Sequence, residues 1–462
     1  MKAAFHTLGC KVNQYESEAI SKAFEKEGYS IVGERDFADV YIINTCTVTA
    51  IADKKSRQYI RKMKKVNPES IIVVTGCYAQ ISPDEVSAVE GVDIIAGTNE
   101  KSRITEFVRI FMEDGKKQLH VKGYAELDSY DETGIVANGE NRTRAYIKVQ
   151  EGCNRFCSYC VIPYARGRVR SRKLNDIVGE AKALIENGYK EIVLTGINTA
   201  LYGMDEEDRD DKAASCGMDQ KGCDDTAMPY GIEKVINEIS GIEGEFRIRL
   251  SSLEPAVVDA QYVKRLLKYH KLCHHLHLSA QSGSDRILKM MNRPYGKKEY
   301  MEIVEVLRKA DPYYGISTDI IVGFPGEKEN DFEQSCMLAE ESSFCRTHIF
   351  KYSKRPFTKA ALMKEHVAPQ VKNRRSDKLH EIGRKSAVHF FEMNKGCVKP
   401  VLFEEVQKIG DKTVATGYTD NYIKTYIKFD ERNEAEKLLN KIVKVRLIEI
   451  YKDGMMGERI DI

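Results

Sequence analysis

Several features that would place a chain in a special class are missing from this sequence of 462 residues. It contains no run of 18 apolar residues, so no transmembrane helix is predicted. The N-terminus begins with a strand-like segment and lacks the apolar region and cleavage site of a signal peptide, which indicates a cytoplasmic location. Internal repeats and low-complexity tracts are absent too. With 42% hydrophobic and 31% charged residues, the composition predicts a globular chain of roughly three domains.

Net charge is also nearly absent, because 72 Lys and Arg residues offset 70 Asp and Glu residues to leave +2. This balance alone gives no reason to expect a polyanionic partner. The charges are segregated, however. Residues 205–228 hold nine acidic and three basic residues, and we interpret them as a solvated surface insertion. Residues 141–173 hold nine basic residues and one acidic residue, and residues 53–65 hold seven basic residues and one acidic residue. A basic run is usually a solvated face, but two such runs beside cysteines favour a phosphate-backbone partner.

Apolar segments alternate with helical patterns through most of the chain. Strands are predicted at 40–44 and 71–75, with a helix over 52–65 between them and a linker near 128–140. After that linker, strands are predicted at 145–149, 191–195, 246–250, 275–278 and 316–322, with helices that include 173–187 and 297–309. The alternation predicts an α/β fold, with an N-terminal parallel sheet and then a full or partial barrel. The final segment, with short strands between turn residues, predicts a small all-β barrel or sandwich.

The strongest chemical signal is the motif Cys153-x-x-x-Cys157-x-x-Cys160, which follows the predicted strand at 145–149. α/β proteins build sites at the carboxyl ends of strands. Three thiolates suit a soft metal centre, and they are one fewer than the four that usually hold a [4Fe–4S] cluster, so one iron would keep an open position. The alternative is a zinc site whose fourth ligand comes from a distant residue, because residues 121–269 contain no histidine.

A second set of cysteines is dispersed along the first 80 or so residues. Cys10, Cys46 and Cys77 each follow an apolar strand, and strands of one parallel sheet end at the same edge, so the three thiols can converge. A lone cysteine in such a place is more often a buried small hydrophobe, but three equivalent positions favour a second metal site. The remaining six are interpreted as core or incidental residues: Cys216, Cys223, Cys273, Cys336, Cys345 and Cys397. A redox pair of Cys216 and Cys223 is the minority alternative.

The Cys153–Cys160 motif resembles the signature of the radical-SAM superfamily, and the run from Glu151 to Arg168 is similar to the methylthiotransferases within it. The resemblance implies a [4Fe–4S] cluster on Cys153, Cys157 and Cys160, whose free iron binds S-adenosylmethionine and yields a 5′-deoxyadenosyl radical. It implies a second [4Fe–4S] cluster on Cys10, Cys46 and Cys77 that accepts the sulfur to be transferred. The loops after the barrel strands resemble family motifs, and the adenosylmethionine contacts that they suggest are Gly196, Asn198, Ser252, Glu254, Gln281 and Gly323.

The run from His6 to Glu16 is especially similar to the branch of the family called MtaB. This branch acts on N6-threonylcarbamoyladenosine at position 37 of tRNA and places a methylthio group at C2 of the adenine. The implied partners are the tRNA anticodon loop, with the target nucleotide turned out of its stack, and an electron donor such as flavodoxin or ferredoxin, with no membrane. The alternatives are methylthiolation of N6-isopentenyladenosine in tRNA or of a ribosomal-protein aspartate. An alternative of another class is a non-catalytic iron–sulfur protein that binds RNA or transfers electrons.

The resemblance covers nearly the whole chain and implies three domains. These are an N-terminal methylthiotransferase domain at 1–120, a radical-SAM core that is a partial (β/α) barrel at 140–375, and a TRAM-like RNA-binding barrel at 386–462. In the last domain, Tyr418, Tyr422, Tyr426 and Phe429 are either candidates for stacking on bases or core and ordinary surface residues. The basic run 372–375 just before it could contact phosphates. Two features depart from the family: the insertion at 205–228, and Phe357 where the family usually has glycine.

Overall fold

The structure is a computed structural model, and it describes residues 1–133, 143–205 and 228–460. Nearly all of the acidic insertion, including Cys216 and Cys223, lies outside the described residues, as does part of the predicted linker at 128–140. In the part of the chain that is described, no helix has both the length and the apolar character needed to cross a membrane.

The N-terminal region is built on a six-stranded parallel sheet with the strand order β2-β1-β3-β4-β5-β6. Its strands are β1 (Lys2–Thr7), β2 (Ser30–Val32), β3 (Val40–Thr45), β4 (Ile71–Gly76), β5 (Ile94–Ala96) and β6 (Gln118–His120). The central strands β3 and β4 are rich in valine and isoleucine and are buried along their whole length. This is the pattern of a parallel sheet covered on both faces. The predicted strands at 40–44 and 71–75 are confirmed.

Helices cover both faces of this sheet. They are α1 (Lys11–Lys26), α2 (Ala50–Val66), α3 (Cys77–Ile81), α4 (Pro83–Ser87) and α5 (Ile104–Asp114). Ile60 of α2 packs into the core on one face, and Phe107 of α5 packs into the core on the other. The helix predicted at 52–65 is therefore confirmed, and its polar face is turned away from the sheet. The Thr49 side chain caps it by accepting a hydrogen bond from the Ala52 amide.

The central region contains two four-stranded sheets, ordered β10-β9-β7-β8 and β11-β12-β13-β14. Their strands are β7 (Arg144–Glu151), β8 (Arg170–Ser171), β9 (Glu191–Gly196), β10 (Arg247–Leu250), β11 (Ser252–Leu253), β12 (His275–Leu278), β13 (Gly315–Val322) and β14 (Arg346–Lys351). All of these pairings are parallel except that of the short strand β8. An isolated parallel bridge between Ile248 and Leu272 connects the two sheets. The arrangement is a partial barrel, as one of the two predicted alternatives required.

The helices of the central region lie between these strands in sequence. They are α6 (Ile162–Arg166), α7 (Leu174–Glu186), α8 (Ile232–Ser240), α9 (Ala260–Leu266), α10 (Asp285–Met290), α11 (Lys297–Ala310) and α12 (Glu329–Glu341). One continuous core of buried side chains joins both sheets to α7, α8, α9, α11 and α12. The carboxyl ends of the strands, and the loops that follow them, therefore rest on a rigid scaffold.

A long helix, α13 (Pro369–Met393), leads to a closed five-stranded barrel with the order β15-β16-β17-β19-β18. Its elements are β15 (Val398–Ile409), β16 (Lys412–Thr419), β17 (Lys424–Phe429), α14 (Arg432–Glu436), β18 (Ile442–Tyr451) and β19 (Gly454–Arg459). The sequence left a barrel and a sandwich open, and the structure is a barrel. Tyr426 belongs to the packed interior, with 1% of its surface exposed, so its proposed stacking on bases is wrong.

Candidate active site

The three N-terminal cysteines converge at one edge of the sheet. Cys10 precedes α1, Cys46 directly follows β3, and Cys77 opens α3 after β4. Strands β1, β3 and β4 are neighbours, and their parallel register brings their carboxyl ends together. Besides burial, the charges of Cys77 and Cys10 raise the pKa of Cys46, and the charge of Cys10 raises that of Cys77. The loops that carry the three cysteines therefore meet at this edge, whereas the binding of a metal by these thiols stays a prediction.

Two glycines let the backbone approach this closely. Gly9 has φ of +111°, and a Cβ there would lie 2.8 Å from the Cβ of Cys46. Gly76 has φ of +95°, and a Cβ there would lie 2.3 Å from the carbonyl oxygen of Thr45. Any larger residue at either position would push the cysteine loops apart, because the added carbon meets the core of the site rather than a flexible side chain.

Burial favours the protonated form of two of these thiols, those of Cys46 and Cys77, in the absence of a metal. It raises the pKa of Cys46 to about 12 and also raises the pKa of Cys77. A cysteine binds a metal as the thiolate. The positive charge of the bound metal must therefore offset the burial that disfavours this negative charge. Cys77 has one group that favours the thiolate already, because the Nε of Arg166 donates to its Sγ at 3.3 Å.

Arg166 belongs to a buried charge cluster between the N-terminal sheet and the central region. Its members are Glu16 of α1, Lys101, Lys148 and Glu151 of β7, and Arg166 of α6. The Nη1 atom of Arg166 lies 2.8 Å from a Glu16 oxygen and 2.5 Å from a Glu151 oxygen. Although burial would raise it, Lys148 and Arg166 hold the pKa of Glu151 at about 2.

The charge balance of this cluster fits a thiolate at Cys77. With their usual charges, three cations and two carboxylates sum to +1, and all five side chains are at most 1% exposed. A buried cluster of that kind is more stable when its excess charge is compensated. A thiolate at Cys77, as a metal ligand must be, would supply the missing negative charge through its contact with Arg166. Reasoning from the sequence missed this cluster, because its partners lie up to 150 residues apart.

The second set of cysteines lies on the loop after β7. Gly152 has φ of +73°, and a Cβ there would lie 1.7 Å from the carbonyl oxygen of Arg168, so only glycine fits. The loop is fixed by the Ser158 amide, which donates to the Met291 carbonyl at 3.0 Å. Burial raises the pKa of Cys153 to about 11 and also raises the pKa of Cys157 and Cys160. These thiols too require a metal to ionise.

Glu254 ties the cysteine loop to the neighbouring strand ends. It accepts hydrogen bonds from Arg155 at 2.9 Å, from Arg293 at 2.8 Å and from the Asn198 side chain at 2.7 Å. Arg293 also donates to the Tyr159 hydroxyl at 2.6 Å. Asn198 and Glu254, both predicted cofactor contacts, therefore bond to each other, and Asn198 keeps a buried side-chain oxygen without a partner among the described residues.

Two neighbouring cavities lie beside the cysteine sites. The larger, of about 470 Å³, is lined by Cys10, Gly196 and Ser252, and the smaller, of about 210 Å³, by Cys160 and Gln281. Asp319 and Phe350 line both cavities, so the two share part of their walls. Gly323 lies outside both linings, and its amide donates to Glu327. Five of the six predicted contacts thus lie at the cavities or bond to each other beside the cysteine loop.

The wall of the larger cavity carries a polar cluster that sequence reasoning did not identify. Ligand atoms of His277, Asp319 and His348 lie within 4.8 Å of one another. His277 Nε2 is 3.0 Å from Asp319, and although burial opposes it, this hydrogen bond lowers the pKa of Asp319. The Oγ of Ser251 and the Nδ1 of His275, which also line the cavity, are buried without a hydrogen-bond partner among the described residues. Such orphaned atoms indicate a polar ligand.

The basic run at 141–173 is not the exposed surface that its sequence predicted. Among its eight described cations, Arg168 and Lys173 are exposed, and the others are buried or half-buried. Most of the buried ones bind carboxylates from other parts of the fold, as Arg172 does with Glu132 at 2.8 Å. The expectation of an RNA-binding face here is therefore wrong. These side chains hold the interior of the site together instead.

Phe357, which departs from the family pattern, adopts a backbone conformation that favours glycine. Its φ is +64°, and 66% of its surface is exposed. A bulky residue in this region is strained. Its ring lies 6.0 Å from that of Tyr164, so it borders the cysteine loop without contacting a predicted ligand.

Two family models match this chain, and each covers one of the two cysteine sets. A family described as uncharacterized protein family UPF0004 matches residues 2–97, and the radical SAM superfamily matches residues 147–339. The threonylcarbamoyladenosine tRNA methylthiotransferase MtaB of Bacillus subtilis is 40% identical, over 98% of this chain and 95% of that protein. The MtaB of Aquifex aeolicus is 38% identical, over 96% and 100%. The chain belongs to the radical-SAM methylthiotransferases, in their MtaB branch.

The chain is also similar to a second kind of methylthiotransferase, and one solved structure shares its fold. A tRNA-2-methylthio-N(6)-dimethylallyladenosine synthase of Clostridium botulinum is 33% identical, over 98% of this chain and 95% of that protein. The radical S-adenosylmethionine methyltransferase TsrM of Kitasatospora setae shares the fold, with a TM-score of 0.56 and 14% identity over 78% of this chain and 77% of that one. The cofactors of the family are S-adenosylmethionine and two [4Fe–4S] clusters.

The residues present fit those cofactors. Each site offers three thiols, of which Cys77 at one and Cys157 at the other are buried. Each also has a nearby arginine, Arg166 at the first and Arg293 at the second, which favours the thiolate. Three thiols per site leave one iron of a [4Fe–4S] cluster without a cysteine ligand. No described histidine takes part in either set of three cysteines, so the zinc alternative lacks a fourth ligand from histidine.

Proposed function

We propose that this enzyme replaces the C2 hydrogen of N6-threonylcarbamoyladenosine in tRNA with a methylthio group. The observation that carries the proposal is a pair of neighbouring cavities with a shared wall, with Cys10 of one cysteine set lining one cavity and Cys160 of the other set lining the second. A reaction that joins a sulfur and a radical at one carbon needs both sites within reach of one base. The similarity to the MtaB enzymes supports the choice of nucleoside.

Each cysteine set would hold one cluster, Cys10, Cys46 and Cys77 the first, and Cys153, Cys157 and Cys160 the second. When bound, the clusters and adenosylmethionine supply the sulfur, the methyl group, the electron and the radical that the exchange requires. The chain's own residues position these groups. Arg166 links the first set of thiols to the buried charge cluster, and Glu254 anchors the loop of the second set.

The wall between the two sites would bind adenosylmethionine. Gly196 and Ser252 line the larger cavity and Gln281 the smaller, so these backbone and side-chain atoms can contact the ligand. Asn198 and Glu254 carry hydrogen-bonding atoms next to the cysteine loop. Gly323 lines neither cavity, so its proposed contact with adenosylmethionine rests only on the position of its loop after β13.

Three further assignments complete the proposal. The target is adenosine 37 of the anticodon loop, and its base must leave the stack to enter the space between the cysteine sites. The C-terminal barrel is a TRAM-like RNA-binding domain, for which the exposed part of the basic helix α2 offers a second phosphate contact. A flavodoxin or ferredoxin supplies electrons in the cytoplasm.

The experiment is nucleoside mass spectrometry of tRNA from a strain that lacks the gene. We expect 2-methylthio-N6-threonylcarbamoyladenosine to vanish and its precursor to accumulate, and the wild-type gene to restore the product. Cys46→Ala and Cys157→Ala should not restore it, whereas Cys216→Ala, which alters a cysteine outside both sets, should. Loss of a methylthiolated isopentenyladenosine instead would refute the choice of nucleoside.

A second measurement separates the enzyme from a non-catalytic iron–sulfur protein. The purified, reduced enzyme should cleave adenosylmethionine to 5′-deoxyadenosine, and Cys157→Ala should abolish this cleavage because its cluster loses one of three ligands. If the wild-type protein binds tRNA and iron but releases no 5′-deoxyadenosine, the catalytic proposal is wrong.

A further inference from the structure

The larger cavity contains cations that no described residue neutralises. Lys11 and Arg346 both line it, and neither has a hydrogen bond or ion pair to any described residue. Each contacts only an aromatic face, Lys11 that of Tyr146 at 6.0 Å and Arg346 that of Tyr422 at 5.8 Å. The one carboxylate in the cavity wall, Asp319, is bound to His277.

A third cation in the same wall, Arg249, is neutralised by residues of the fold. Arg249 lies 2.9 Å from Glu191 and donates to the carbonyl oxygens of Thr419 and Asp420. Its charge and its donors are therefore satisfied by the fold. Lys11 and Arg346 differ, because both line the cavity and neither has such a partner among the described residues. Burial lowers the pKa of the His348 imidazole in the same wall, and the nearby charges of Arg346 and Lys11 lower it further. The cavity has two unpaired positive charges for a ligand to meet.

We infer that Lys11 and Arg346 bind the carboxylate of the threonyl group and thereby select N6-threonylcarbamoyladenosine. The inference rests on the proposed function, which brings this nucleoside into the cavity. Its N6 substituent ends in a carboxylate and a hydroxyl, whereas an isopentenyl group is purely apolar. A carboxylate pairs with both cations, whereas an apolar group would bury them without a partner. The orphaned Oγ of Ser251 offers a partner for the remaining polar atoms.

Discrimination of this kind should be large. A charge-assisted hydrogen bond in a partly buried site corresponds to roughly a 10- to 100-fold change in affinity. The matched probe is an anticodon stem-loop that carries the methyl ester of the threonylcarbamoyl group, which keeps the shape and removes the charge. Wild-type enzyme should bind and methylthiolate the acid about 10- to 100-fold better than the ester.

The variants Arg346→Gln and Lys11→Met should lower this preference, because they weaken binding of the acid stem-loop and leave binding of the ester stem-loop unchanged. Arg346→Lys should retain part of it, and Arg109→Gln, which alters an exposed arginine on α5, should retain all of it. Stem-loop affinity by fluorescence anisotropy is measured beside turnover, with iron content and thermal unfolding as checks on each variant. Because neither cation bonds to a described residue, the substitutions remove no hydrogen bond or ion pair that the fold requires.

Three outcomes would overturn the inference. If the wild-type enzyme treats acid and ester alike yet methylthiolates both, the inference is wrong and the proposed function stands. If the variants weaken acid and ester by the same factor, the cations contact tRNA phosphate or the carboxylate of adenosylmethionine instead. If the wild-type enzyme modifies neither stem-loop, the proposed function fails and the inference fails with it.

Discussion

Two basic runs, at 53–65 and at 143–173, differ in where the fold places their charges. In the helix at 53–65 the cations face solvent, and the exposed ones are Lys54, Lys55, Arg61, Lys62 and Lys65. In the run at 143–173 most cations are internal, and Arg166 has no exposed surface at all. The acidic partners of the two runs differ as well. The single acid of the first run, Asp53, is buried and pairs with Arg355. The buried cations of the second run pair with Glu151 of the same run and with acids from elsewhere in the chain, such as Glu16.

The difference shows that charge density along a sequence does not say where the charge lies. A helix with a 3.6-residue period turns its lysines outward once its apolar residues face a sheet. A strand followed by a tight loop in the middle of a site has no such outward face. Arginine suits the interior there, because its planar guanidinium binds two carboxylates at once, as Arg166 binds Glu16 and Glu151.

The largest effect should come from removing a charge of the internal run. Arg166→Met leaves Glu16 and Glu151 with less compensation and removes the donor to Cys77. We expect a loss of about 3–5 kcal/mol in the free energy of unfolding, as for other buried pairs that lose one partner. The iron of the Cys10, Cys46 and Cys77 site should be lost as well. Urea unfolding under anaerobic conditions and iron analysis measure both.

The matched control is two residues away in the same run. Arg168 is exposed, so Arg168→Met should change the free energy of unfolding by less than about 0.5 kcal/mol and leave the iron content unchanged. If Arg166→Met and Arg168→Met lower the free energy of unfolding equally, burial of the arginine does not decide its contribution, and the contrast between internal and exposed cations is wrong.

Reasoning from the sequence reached the fold and both cysteine sets for a definite reason. Strands and helices follow from local periodicity, and Cys10, Cys46 and Cys77 converge because parallel strands end at one edge. The buried cluster around Arg166 could not be derived in this way. Glu16, Lys148 and Arg166 meet only after two domains pack, and no local pattern distinguishes a buried arginine from an exposed one.

A smaller effect is expected where the exposed run turns inward. Arg355 donates to Asp53 at 2.6 Å and to Thr47 at 2.5 Å, and thereby joins α2 to the central region. Arg355→Met leaves a buried carboxylate without its cation, so it should cost about 1–3 kcal/mol in the free energy of unfolding. Lys54→Met, next to Asp53 but exposed, is the control and should have no measurable effect on urea unfolding. If Arg355→Met leaves the free energy of unfolding unchanged, the ion pair with Asp53 does not stabilise the fold.

The smallest effect on stability, and the most specific effect on binding, should come from the outward face of α2. The triple variant Lys54→Gln, Lys55→Gln and Arg61→Gln removes three exposed charges whose side chains contact no buried partner. Urea unfolding should therefore be unchanged. If the helix contacts the tRNA backbone, the slope of log affinity against log salt should become shallower by roughly 0.7–0.9 for each phosphate that the helix no longer neutralises.

Arg109 again provides the comparison that decides this point. It is exposed on α5, which packs on the opposite face of the N-terminal sheet from α2. Arg109→Gln should leave both tRNA affinity and its salt dependence unchanged, because a phosphate backbone that contacts α2 cannot reach the other face. An unchanged salt slope in the triple variant would make this basic helix a solvated face, and the phosphate contacts would then have to come from the C-terminal barrel or the basic run at 372–375.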